Sequence, residues 1–77
     1  MASDTREQFL DTAEALFAER GFYGVSIAAI ADELDLTKQA LLHHFGTKEK
    51  LYGAVLQRIS DEFERQLAGI TETERNA

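Results

Sequence analysis

Seventy-seven residues without a cysteine or a proline leave room for one small domain, near the lower size at which an apolar core folds unaided. They supply neither a disulfide framework nor a thiolate metal site to reinforce that core. No apolar run is long enough to cross a bilayer, and the start Met1-Ala2-Ser3-Asp4-Thr5-Arg6 lacks the basic and apolar regions of a secretory signal, so a cytoplasmic protein with no membrane partner is expected.

Ala, Leu, Glu, Gln and Arg are plentiful while Val and Ile are few, which points to an all-α fold. In the first segment Phe9, Ala13, Leu16 and Phe17 recur at the three- and four-residue spacing of one helix face. Thr5 with Gln8 fits a capping box and Gly21 is a natural stop, placing helix 1 at about 6 to 20. Gly21-Phe22-Tyr23-Gly24 then reads as a tight turn whose two aromatics anchor it in the core.

Ser26 is suited to cap helix 2, about 27 to 34, with Val25 and Ile30 at the two positions of a hydrophobic staple. The pattern repeats at once: Thr37 caps helix 3, about 38 to 45, with Leu36 and Leu41 as the staple. Only Asp35 and Leu36 separate the end of helix 2 from that cap, which forces the two axes steeply across each other and defines a helix-turn-helix. Gly46 stops helix 3, and Thr47 caps helix 4, about 48 to 68, whose apolar positions include Tyr52, Val55, Leu56, Ile59, Phe63 and Leu67. The polar stretch from Thr71 to Ala77 is expected to fray. The fold class is therefore a three-helix, helix-turn-helix bundle with a fourth connecting helix, the whole of 1 to 77 forming one domain.

The net charge of −6 opposes nucleic acid as a partner, but its distribution does not. From Leu36 to Lys48 there is no acidic residue, and Lys38 and Lys48 give that window +2, so the other sixty-four residues carry −8. A helix-turn-helix presents the first residues of its second helix to base edges in the major groove. Lys38 can donate to guanine, Gln39 can bond adenine with both ends of its amide, and the methyl of Ala40 can meet a thymine methyl. Ser26 and Thr37 offer hydroxyls to the DNA backbone beside their capping role, and Lys48 opens helix 4, where a cation is locally unfavourable unless it meets a phosphate. For Lys38 and Gln39 the plain alternative is a solvated first turn; for Ser26 and Thr37 it is capping alone.

Residues 6 to 56 resemble the N-terminal domain of TetR-type repressors. The resemblance lies in Ala13 with Leu16-Phe17 and Gly21-Phe22, in Ser26 with Ile30-Ala31, and in Leu36-Thr37, Leu41, His44-Phe45 and Lys48-Glu49 with Leu51. It implies that helices 2 and 3 read double-stranded DNA, that helix 1 supports them, and that helix 4 leads to a larger dimerisation and ligand domain. It also implies base contacts at Lys38, Gln39, Ala40 and His43, a backbone contact at His44, and a full-length homodimer on a palindromic operator. Seventy-seven residues do not hold that second domain, so either a truncated chain or a free-standing module is expected, without an inducer pocket. The chain departs from the family at Leu42, where a phosphate-gripping tyrosine is usual, at Gln39, where a small or rigid residue is common, and at Asp35, where glycine is frequent at the corner.

No cofactor or metal is called for: adjacent His43 and His44 diverge around the helix and lack a third ligand. No nucleophile motif or phosphate loop marks an enzyme. The competing reading is a helical interaction module, with Ile59, Phe63 and Leu67 exposed for a partner helix.

Overall fold

A computed structural model describes the backbone of residues 4–76 and the side chains of residues 4–69. Four helices follow in order among these residues: α1 (Thr5–Arg20), α2 (Ile27–Glu33), α3 (Lys38–Phe45) and α4 (Lys48–Asn76). Each start is fixed by a side chain that takes an otherwise unpaired backbone N–H. Ser26 Oγ accepts from the N–H of Ala29 at 3.1 Å, Thr37 Oγ1 from that of Ala40 at 3.0 Å, and Thr47 Oγ1 from that of Lys50 at 3.0 Å.

At α1 the cap is Asp4 rather than Thr5: its carboxylate accepts from the N–H of Arg6 at 2.9 Å, and its carbonyl from that of Gln8 at 3.0 Å. A carboxylate there caps as well as a hydroxyl and adds a negative charge at the positive end of the helix, so aspartate displaces the neighbouring threonine. The ends of α1 and α3 are made by Gly21 and Gly46, both at positive φ, whose N–H groups donate to Phe17 and Leu42. α2 stops at Glu33, with Leu34 in the turn, and α4 continues to Asn76, past the last apolar position that set its expected end at about 68. Of the stretch expected to fray, Ala77 and the side chains from Thr71 onward lie outside the described residues.

The core is wholly apolar and draws on every helix. Phe9, Ile30, Leu41 and Leu51, one from each helix in turn, are its largest fully buried side chains. Phe9 meets Phe45 edge-on at 6.5 Å, and Phe17, Phe22 and Tyr52 form a second aromatic group at the other end, with centroids 5.0 to 5.9 Å apart. Phe22, expected inside, is half-buried against this core, as is Leu34, while Leu10 joins it. The aromatic pair of the first turn divides: Phe22 anchors, but Tyr23 is 95% exposed.

A polar clamp joins α1 and α4. The Arg58 guanidinium donates to Glu14 at 2.6 Å, Asp11 at 2.7 Å and Glu7 at 3.1 Å, spanning two turns of α1. The bond to Glu14 above all, then those to Asp11 and Glu7, push the Arg58 pKa upward against the opposing effect of partial burial. After Arg58 every described residue of α4 is exposed, including Ile59, Phe63 and Leu67. Arg58→Met is expected to cost about 1–2 kcal/mol, because it removes three charge-assisted bonds and leaves three carboxylates facing one another at a part-exposed site. Thermal melting measures this, and an unchanged midpoint would mean that water replaces all three bonds.

Candidate nucleic-acid interface

The second helix of the pair is divided lengthwise by its own packing. Leu41 and Phe45, one turn apart, are buried and turn the same side of α3 to the core. At about 100° per residue, Gln39 and His43 then lie opposite that row, on the outermost line of the helix. Both are exposed. Lys38 and Leu42 share one flank, while Ala40 and His44 share the other. Lys38 is exposed, whereas Ala40 is half-buried and packs in part against the core, so it presents less of its methyl than the other three base-contact candidates.

Crossing of α2 and α3 depends on the corner residue. Asp35 adopts φ 57°, the left-handed conformation that aspartate tolerates better than most side chains, and its N–H donates to Asp32 while that of Leu36 donates to Ala31. The corner that glycine often makes is thus made by an exposed acid.

On the Lys38 and Leu42 flank lies an open groove of roughly 760 Å3. Its walls bring together Ser26, Lys38, Leu42 and Lys48 with Arg20 and Tyr23, and no acidic residue lines it. Lys48 is half-buried, with its ammonium 4.2 Å from the centroid of the Phe22 ring. That cation–π contact offsets the unfavourable placement of a cation at the start of α4 and holds the ammonium at the groove.

On the other flank, the exposed His44 leans on the core edge, its ring 5.9 Å from that of Phe9, and Arg6 lies over Phe45 at 5.0 Å. Thr37 is exposed, its oxygen engaged with Ala40, as Ser26 is engaged with Ala29. The structure therefore gathers Ser26, Lys38 and Lys48 around one groove, sets Gln39 and His43 on the outer line, and leaves His44 on the far side. Arg20 and Tyr23 were not selected from the sequence. Arg20 follows an acid, Glu19, with which it pairs at 3.3 Å, and it carries no motif; Tyr23 reads as half of a buried pair.

Residues 9–55 match the family described as bacterial regulatory proteins, tetR family. The chain belongs to this family. The match begins at Phe9 and ends at Val55, the first and last residues of the buried core, so it covers the part of the TetR fold that packs as one unit. The HTH-type transcriptional repressor KstR2 of Rhodococcus jostii is 37% identical over 60 residues, 78% of this chain and 29% of its own length. The HTH-type transcriptional activator FasR of Mycolicibacterium smegmatis is 40% identical over 58 residues, 75% of this chain and 26% of its own. The HTH-type transcriptional regulator UidR of Escherichia coli is 37% identical over 71 residues, 92% of this chain and 35% of its own. The TetR-family chain thus spans about a third or less of the length of these relatives. No solved structure matches it significantly. Among the described residues, no helix is long and apolar enough to cross a membrane, and no group of histidines and carboxylates could hold a metal ion.

Proposed function

We propose that residues 1 to 77 form one DNA-binding domain, the sequence-reading part of a cytoplasmic, non-enzymatic transcription regulator that needs no cofactor. The observation that carries this is the division of α3: a buried row of Leu41 and Phe45 holds the helix, and Gln39 and His43 stand on its opposite line beside an acid-free groove with three cations. Lys38, Gln39 and His43 read base edges, with Ala40 contributing what its packing leaves exposed. Ser26, Thr37, His44 and Lys48 hold phosphates. A single module makes few contacts, so the full-length protein reads a palindromic operator as a homodimer.

A salt titration tests the proposal. Log affinity for a duplex is expected to fall linearly with log salt, with a slope of about −0.9 for each phosphate neutralised, and Lys48→Ala is expected to make that slope shallower by about that amount. A melting curve of the same variant separates loss of the phosphate contact from loss of the Phe22 contact, which costs no more than about 1 kcal/mol. Absence of duplex binding in dilute buffer would overturn the proposal. It would favour a second reading, an interaction module, for which the specific observation is the exposed row Leu56, Ile59, Phe63 and Leu67 along α4.

A further inference from the structure

Tyr23 is the most exposed of the large apolar side chains, at 95%, in a chain whose other loop aromatic, Phe22, is drawn against the core. Its ring stands edge-on to Phe22 with centroids 5.1 Å apart at 88°. The same Phe22 ring is also met by the Lys48 ammonium at 4.2 Å. One half-buried ring therefore touches both a phenol and a cation, and both line the groove that Arg20, Lys38 and Ser26 also line.

Lys38 and Lys48, with Arg20 paired to Glu19 at the rim and no carboxylate on the walls, favour an anion, and the open shape of the groove suits an extended polyanion rather than an enclosed small molecule. Its walls carry two side-chain hydroxyls: that of Ser26, whose oxygen accepts the N–H of Ala29 and whose O–H can still donate, and that of Tyr23, which makes no hydrogen bond among the described residues. We infer that the Tyr23 hydroxyl donates to a phosphate of the DNA strand that lies in this groove, alongside Lys48 and across from Lys38. The inference rests on the DNA-binding reading above and assigns a backbone contact to the turn between α1 and α2, outside the helix-turn-helix.

The test uses the whole chain and a duplex of mixed sequence, because a phosphate contact does not depend on the bases. Tyr23→Phe is expected to bind roughly tenfold more weakly, the low end for a hydrogen bond to a charged acceptor at an exposed position. The salt slope should stay as in the parent chain, since no charge is lost, and the melting curve should stay too, since the ring remains. Tyr23→Ala is expected to weaken binding to a similar extent. Parental affinity in Tyr23→Phe would overturn the inference, as would weakening by Tyr23→Ala alone, which would assign the effect to ring packing. In both cases the parent chain still binds with a phosphate-dependent salt slope, so the broader reading survives. A parent chain that ignores the duplex sinks that reading instead.

Discussion

Gly24→Ala is expected to lower the stability of the chain by about 3 kcal/mol, enough to move the melting midpoint down by roughly 10–20 °C in a domain of this size. A Cβ built on Gly24 would overlap the carbonyl oxygen of Arg20 and lie 3.1 Å from its carbonyl carbon. Both are backbone atoms at the end of α1, so no flexible side chain can give way. Relief requires opening the turn, which would strain the Gly24 N–H bond to Gly21 and shift Phe22 and Val25, the residues that seat the turn on the core. Gly53→Ala supplies the contrast: nothing lies near its added methyl, and in the interior of α4 alanine is expected to stabilise by about 0.5–1 kcal/mol. Thermal denaturation of the two variants side by side decides the matter. Equal melting of Gly24→Ala and the parent chain would mean that the turn does not approach α1 as described.

The parts of this fold that were legible in the sequence are those settled within a few residues. Ser26, Thr37 and Thr47 are capping residue types followed by helix formers, and of the staple residues, Val25, Ile30 and Leu41 are buried while Leu36 is half-buried. Where two adjacent residues could play one role, the pattern did not choose between them: Asp4 and Thr5 can both cap, and of Phe22 and Tyr23 only one turns inward. The end of α4 was set short because apolar spacing stopped, although nothing in Thr71-Glu72-Thr73-Glu74-Arg75 breaks a helix. Contacts between distant residues left no local signature at all. Arg58 meets three carboxylates 44 to 51 positions away, and Lys48 meets Phe22, yet in sequence these are ordinary surface charges. The same limit hid Arg20 and Tyr23, which join the groove only because the turn folds back beside the start of α2 and Lys48.

Leu41→Ala is expected to abolish duplex binding by a route different from that of any surface substitution on the same helix. Leu41 is fully buried on the inner row of α3, in one core with Phe9, Ile30 and Leu51. Truncation there removes apolar contact and leaves a cavity, at about 2–5 kcal/mol. Small domains hold only about 5 kcal/mol in reserve, so much of the chain would be unfolded at ambient temperature, and α3 would lose the seat that aims its outer line. Gln39→Ala, two residues earlier on that outer line, removes no packing and is expected to melt like the parent chain while losing about 1–3 kcal/mol of discrimination between preferred and altered sites. Circular dichroism melts and duplex competition on both variants separate the two outcomes. If Gln39→Ala lowered the melting midpoint as far as Leu41→Ala, or Leu41→Ala bound duplex normally, the two sides of α3 would not carry separate tasks. The assignment of its outer line to base reading would then fall.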